Sequence, residues 1–270
     1  MEFDGLLLDS SEDYLIWIGH ATFLMQIDGK VILTDPMLFD NIFLKRESPL
    51  PFSLEKLPQI DYLLLSHDHR DHLDKKSIQY LIENHPNLKI LTGLGMEKTI
   101  DSWINGNSIQ EAGWFQQYAL SDLNLEITYV PSRHWSRRGL WDLNKTLWGG
   151  FYIKNGKYSI YFMGDSGNGP HFEDIKNTLG APDYCLMGIG AFKPEWFMEP
   201  VHISPYDAIQ VFNKMEGKYF VPMHFGTFDL SDEPRMEPWD ILLQNRGEID
   251  GNLIEPILGK NLLQENFSNH

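Results

Sequence analysis

Six consecutive residues, His67-Asp68-His69-Arg70-Asp71-His72, place three imidazoles and two carboxylates side by side. Imidazole nitrogen and carboxylate oxygen are the usual protein ligands of Zn²⁺ and other first-row divalent ions. Three of the chain's ten histidines in one loop would be an odd way to solvate a surface, so the segment reads as a metal site. If the loop leaves a strand in extended form, His67 and His69 face one point, while Asp71 and His72, past a turn, face a second point a few ångströms off. Two adjacent ions need more ligands than one loop supplies. His134, Asp165 and His224 stand in three further polar clusters that could supply them.

The elements that must bring these residues together follow from the hydrophobic pattern. Residues 61–65 form an apolar run of strand length that ends at the histidine cluster. A helix follows over 75–84, where Ile78, Leu81 and Ile82 share one face and His85-Pro86 stop it. Strand-like runs over 123–130, 158–163 and 219–223 lead into Pro131-Ser132-Arg133-His134, Gly164-Asp165-Ser166-Gly167 and His224-Phe225-Gly226, the last after a helix over 205–215. Four strand ends thus carry the candidate ligands, and rigid strand ends are where sheet-based enzymes keep their sites. Upstream, residues 14–18, 22–27 and 31–34 read as a meander with an Asp28-Gly29 hairpin turn, and the proline-containing segment 36–58 as a long loop. Strands and helices mix without strict alternation, which predicts an α+β fold of two mixed β-sheets packed face to face with helices on the outer faces. No linker or repeat divides the 270 residues, so a single domain over 1–270 is expected.

With 22 Lys+Arg against 38 Asp+Glu, the net charge of −16 argues against duplex nucleic acid or an anionic membrane as the main partner. No apolar run approaches the roughly 18 residues of a bilayer span, the first ten residues lack a signal-peptide pattern, and the single Cys185 permits no intramolecular disulfide. The expectation is a cytoplasmic protein without integral membrane association. Cys185 itself reads as a buried strand thiol with no nucleophilic partner.

The order His67-x-His69-x-Asp71-His72, His134, Asp165, His224 resembles the complete ligand set of the metallo-β-lactamase superfamily, which implies an αββα sandwich. Within that superfamily several stretches are similar to the N-acylphosphatidylethanolamine-hydrolysing phospholipase D family. They are Gly19-His20-Ala21-Thr22, Leu33-Thr34-Asp35-Pro36, His134-Trp135, Leu147-Trp148-Gly149, Gly164-Asp165-Ser166-Gly167, Gly190-Ala191-Phe192-Lys193-Pro194-Glu195-Trp196-Phe197-Met198 and His224-Phe225-Gly226-Thr227-Phe228. The resemblance implies that His67, His69 and His134 hold one metal, that Asp71, His72 and His224 hold the other, and that Asp165 bridges both. It implies two Zn²⁺ per chain, with Mn²⁺ or Fe²⁺ as alternatives, and a bridging hydroxide made available near neutral pH. Flavodiiron-type members resemble this pattern but carry Glu at the position of His69, so redox chemistry is disfavoured.

The resemblance further implies catalytic roles for Asp71 and Asp165, and for His202, which either hydrogen-bonds the phosphate or protonates the leaving group. His20 and Asp35 lie at strand ends of the meander, and Asp35 reads either as acceptor for a ligand histidine's second N–H or as an Asx turn before Pro36. Arg133, Arg137 and Arg138 either meet an anionic substrate or pair with surface acids. Phe192, Trp196, Phe197 and Met198 line an acyl groove, pack in the core or form an oligomer interface. The expected function is a dinuclear zinc phosphodiesterase of phospholipase D type, acting on a small-molecule or lipid-derived anionic substrate, with homo-oligomerisation open. The alternatives are a lactonase acting on a phosphorylated sugar lactone and, from another class, a non-catalytic metal-stabilised binding protein.

Overall fold

The structure, a computed structural model, describes residues 12–40, 44–104, 106–121 and 124–263. The chain opens with β1 (Tyr14–Gly19), β2 (Thr22–Ile27) and β3 (Lys30–Thr34), an antiparallel meander. Asp28 and Gly29 close the second hairpin at φ 51° and 70°, the left-handed pair that a two-residue turn demands. Next come β4 (Tyr62–Leu65), α1 (Lys75–Asn84), β5 (Lys89–Gly93), the short α2 (Glu97–Ile100) and β6 (Ile109–Ala112), whose strands add to β3 in parallel. The first sheet is therefore β1-β2-β3-β4-β5-β6. Residues 36–58 carry no strand or α-helix among the described residues, as expected of a loop.

The second half repeats the scheme. β7 (Gln116–Gln117), β8 (Glu126–Val130), β9 (Gly150–Lys154) and β10 (Ser159–Phe162) run antiparallel. The expected start of β8 at Leu123 lies outside the described residues. Then α3 (His171–Leu179), β11 (Tyr184–Gly188), α4 (Glu195–Met198), α5 (Pro205–Lys214), β12 (Tyr219–Met223), α6 (Glu237–Gln244) and β13 (Asn252–Leu253) complete a seven-stranded sheet of order β13-β12-β11-β10-β9-β8-β7, parallel from β10 onward.

Period-two alternation along the strands decides the layering. In β4, Tyr62 and Leu64 belong to the core between the sheets, whereas Leu63 and Leu65 face the cluster that Ile78, Leu81 and Ile82 of α1 cover. In β10, Phe162 meets Phe23 of β2 across the sandwich with ring centroids 6.4 Å apart, and Tyr161 meets Phe172 of α3 on the outer face at 6.4 Å. Phe212 of α5 stacks on Phe220 of β12 at 5.0 Å. The architecture is an αββα sandwich of α+β class. Strands buried on both faces explain why β4, β10 and β12 are continuously apolar, and each fully buried Leu, Ile or Phe contributes about 1.5–3 kcal/mol. Asp74 caps α1 by accepting from Ser77 N, and Ser204 caps α5 by accepting from Asp207 N. Among the described residues no helix is long and apolar enough to cross a membrane.

β8 and β10 run in the same direction, two reversals apart through β9, and β12 is parallel to β10 through β11. Their C-termini consequently reach one rim of the sandwich, where β4 of the opposite sheet also ends.

Candidate metal centre

His67 follows β4 by two residues, His134 follows β8 by four, Asp165 follows β10 by three, and His224 follows β12 directly. The turn expected after His69 is present: the N–H groups of His72 and Leu73 both donate to His69 O, at 3.2 and 2.8 Å. Asp165 is delivered by Gly164 at φ +64°, where a Cβ would stand 2.6 Å from Gly149 O, so only glycine makes this approach.

All seven ligands expected from the sequence converge, in two groups. His67 Nε2 and His134 Nε2 each lie 3.0 Å from His69 Nδ1, and they lie 3.7 and 3.8 Å from Asp165 Oδ2. In the second group His72 Nε2 is 3.2 Å from His224 Nε2, and these atoms are 3.5 and 3.4 Å from Asp71 Oδ2. Asp165 joins this group too, with Oδ2 3.1 Å from His72 Nε2 and Oδ1 3.2 Å from His224 Nε2. Donors about 2.1 Å from one tetrahedral ion sit about 3.4 Å from each other, which is the spacing found in both groups.

Hydrogen bonds behind the rings show where the lone pairs point. Ser66 Oγ donates to Asp35 Oδ2 at 2.5 Å, so it accepts from His67 Nδ1–H at 2.9 Å, and the Nε2 of His67 is left as a lone pair. His134 Nδ1–H donates to Val201 O at 2.9 Å, with the same consequence. His72 Nδ1–H donates to Asp35 Oδ2 at 2.8 Å, which turns its Nε2 toward two carboxylates. Lone pairs and carboxylate oxygens facing one another at these distances suit a cation between them, so the donor set of each group fits a metal ion.

The electrostatics agree. Burial, reinforced by neighbouring imidazoles, pushes His67 well below the usual imidazole range; burial does the same to His134 against the opposing pull of Asp165. Burial also opposes charge on His224, yet Asp165 and Asp71 outweigh it and lift this ring to about 9. His72 is raised for the same reason. Burial would raise Asp71 and Asp165, but the surrounding imidazoles hold both well below the carboxylate range. The second group is a place where positive charge is strongly favoured.

His202 lies at the edge of the same centre, its Nδ1 3.9 Å from Asp165 Oδ2 and its ring 5.1 Å from that of His134. Burial lowers it to about 4. Asp35 is fully buried and accepts from His72 Nδ1, Ser66 N and Ser66 Oγ, which answers the alternative left open by the sequence in favour of ligand support. Among the described residues the three arginine side chains hydrogen-bond backbone carbonyls rather than surface acids. Arg138 donates to the backbone carbonyls of Asp68 and Leu73, Arg133 to Asn168 O, and Arg137 to Gly139 O. Asp68, silent in the sequence, accepts from Arg137 N and Thr146 Oγ1 and so ties the ligand loop to residues 137–146. The aromatic segment divides: Phe192 is core, whereas Trp196 and Phe197 are 80 % and 61 % exposed. His20, to which the sequence assigned no role, stands inside the second group, 3.3 Å from Asp71 Oδ2. The stretch Gly19-His20-Ala21-Thr22 marked it in the sequence as part of a family-like motif, but not its approach to Asp71.

Comparison with known proteins follows the same lines. The model of the β-lactamase superfamily domain matches residues 30–225. Over 243 residues the chain is 32 % identical to N-acyl-phosphatidylethanolamine-hydrolyzing phospholipase D 1 of Caenorhabditis elegans, covering 85 % of this chain and 68 % of that one. Over 260 residues it is 32 % identical to the mitochondrial N-acyl-phosphatidylethanolamine-hydrolyzing phospholipase D of Saccharomyces cerevisiae, covering 92 % and 55 %. The chain thus spans between about half and about two thirds of these relatives' length. Igni18, a metallo hydrolase from Ignicoccus hospitalis, shares the fold with a TM-score of 0.68 at 21 % identity, covering 92 % of this chain and 96 % of that one. The chain therefore belongs to the metallo-β-lactamase superfamily, as a metal-dependent hydrolase similar over most of its length to the N-acylphosphatidylethanolamine-hydrolysing phospholipases D.

Proposed function

We propose that this chain is a dinuclear zinc phosphodiesterase of phospholipase D type, acting on a small-molecule or lipid-derived anionic substrate. The observation that carries the reading is Asp165, whose one carboxylate lies within 3.1–3.8 Å of imidazole nitrogens from both donor groups. A structural zinc site closes at four ligands and has no use for a shared carboxylate, whereas adjacent paired sites suit displacement at phosphorus. The activity in the names of the worm and yeast relatives supports a phosphodiester substrate.

In this reading His67, His69 and His134 would hold one ion and Asp71, His72 and His224 the other, with Asp165 available to both. When bound, the zinc pair supplies a water acidified toward neutral pH and positive charge opposite the attacked phosphate. Asp71, whose side chain is 19 % exposed at the centre, is placed to orient an entering water by accepting its hydrogen bond. His202 is neutral at pH 7, so it suits a hydrogen bond to a phosphate oxygen better than protonation of the leaving group. Arg133 and Arg137 are exposed beside His134 and suit an anionic headgroup. Trp196 and Phe197, in edge contact at 5.6 Å, offer an apolar flank to a lipid tail.

Zinc-reconstituted protein assayed against phosphodiesters and lactones tests this. Two zinc ions per chain are expected, together with a kcat/KM for phosphodiesters at least about tenfold above that for lactones. Fully metallated protein that cleaves no phosphodiester, or that prefers lactones, would overturn it.

A further inference from the structure

His20 sits in the turn between β1 and β2, outside the stretch matched by the superfamily model. Its backbone is left-handed at φ 53°, a conformation that strains a non-glycine residue and that Gly or Asn would take more readily. Three hydrogen bonds hold it there. His20 N–H donates to Thr227 Oγ1 at 2.8 Å, and its carbonyl accepts from Trp17 Nε1–H at 2.8 Å and from His224 N–H at 3.2 Å. His224 is itself left-handed at φ 63°, so the two strained residues brace each other. Such strain persists only where the surroundings enforce it, and here it aims a histidine ring inward.

The ring is 1 % exposed and packs 4.1 Å from that of His224 and 5.0 Å from that of His72. Its Nε2 is buried and finds no well-formed hydrogen bond; Asp71 Oδ2, 3.3 Å away, attracts the ring from one side. A buried nitrogen without a well-formed hydrogen bond is costly unless something takes its lone pair. Asp71 Oδ2 stands 3.3, 3.5 and 3.4 Å from the Nε2 atoms of His20, His72 and His224, three edges of the length expected around one ion. The donor atoms of these four residues all lie within 4.8 Å of one another.

We propose that His20 is a sixth imidazole ligand of the centre, giving Nε2 to the ion held by Asp71, His72 and His224. The inference rests on the two-metal reading above. It makes the centre asymmetric: one ion takes three imidazoles and the shared Asp165, the other three imidazoles, Asp71 and Asp165. The second ion is then the more tightly held of the two.

Cobalt-loaded wild-type protein provides the test without a variant. Each ligating ring keeps one N–H, so six exchangeable, hyperfine-shifted imidazole protons are expected in the proton NMR spectrum. Five, with two cobalt ions bound, would overturn the role of His20 and leave the two-metal reading intact. Fewer than two bound ions would instead defeat the two-metal reading. Competition with a chromophoric chelator supplies a second readout: His20→Ala and His20→Gln are both expected to weaken the second zinc at least about 100-fold and spare the first. Wild-type affinity in His20→Gln, whose amide can reach Asp71 as a hydrogen-bond donor but gives no imidazole nitrogen, would reduce His20 to a positioning residue and sink the proposal. Thermal unfolding of the metal-free variants separates loss of ligand from loss of fold.

Discussion

Asp35 shows how one side chain can govern both halves of the centre. Its Oδ2 accepts directly from His72 Nδ1–H, and through Ser66 Oγ it also sets the tautomer of His67 in the other donor group. The residue is fully buried at φ 32°, so it has no alternative partner in solvent. Asp35→Asn keeps the volume but removes the charge that both rings lean on. Zinc affinity is expected to fall about 10–100-fold at each site, measured by chelator competition. A loss confined to the His72 group would show that the Ser66 relay carries nothing. The sequence offered Asp35 two readings of equal weight because an Asx turn and a buried acceptor are written with the same residues; only the distance to His72 distinguishes them.

Among the elements, the loop 137–146 is the one whose purpose changes most on seeing the structure. A run of arginines beside a candidate ligand suggests substrate binding, yet Arg138 spends its guanidinium on the carbonyls of Asp68 and Leu73, at 2.7 and 2.9 Å, at either end of the ligand loop. Arg138→Met retains the stem and removes these bonds, and it should destabilise the fold by on the order of 2 kcal/mol, seen as a lower urea midpoint. Arg138→Lys, whose shorter stem does not carry its ammonium to the position of the Nη1 that makes both bonds, should recover less than half of that loss. An unshifted midpoint in Arg138→Met would mean that Asp68 and Thr146 hold the loop without it. The strands were easier to read. β4 and β12 are apolar on both faces and announce themselves, whereas β6 and β7 are short edge strands of mixed polarity, Ile109-Gln110-Glu111-Ala112 and Gln116-Gln117, and hold their place through pairing alone.

At the scale of the whole molecule, the net charge of −16 describes the outer surface and not the cleft, where Arg133 and Arg137 flank buried imidazoles. A separate histidine links the fold to pH. His171 opens α3, lies 9 % exposed, and donates Nε2–H to Ser166 Oγ at 3.0 Å. Burial, helped by Arg133, lowers it from its ordinary 6.5 to about 4. Between those values the unfolded chain binds a proton that the folded chain refuses. This contribution is therefore complete above pH 6.5, is lost as the pH falls toward about 4, and does not change further below that. Its size is about 2–3 kcal/mol. The difference in unfolding free energy between wild type and His171→Gln should shrink by that amount between pH 7 and pH 4. A difference that stays constant across the window would remove His171 from the acid response.

Sequence alone singled out the seven residues that converge at the centre and, through the family they resemble, the sandwich, because residue type, spacing and chain order mark a candidate donor set, and because apolar runs ending in His or Asp can be read without coordinates. It could not say what the neighbours of those ligands do. The tautomers of His67 and His72, the clamp of Arg138, the division of the aromatic segment between core and surface, and the entry of His20 into the second group all depend on contacts between residues far apart in the chain: His20 with His224, Asp35 with His72, Arg138 with Asp68. Such contacts are created when strands pair and the two sheets close on one another, and a periodic pattern within one strand carries no information about which distant residue it will meet.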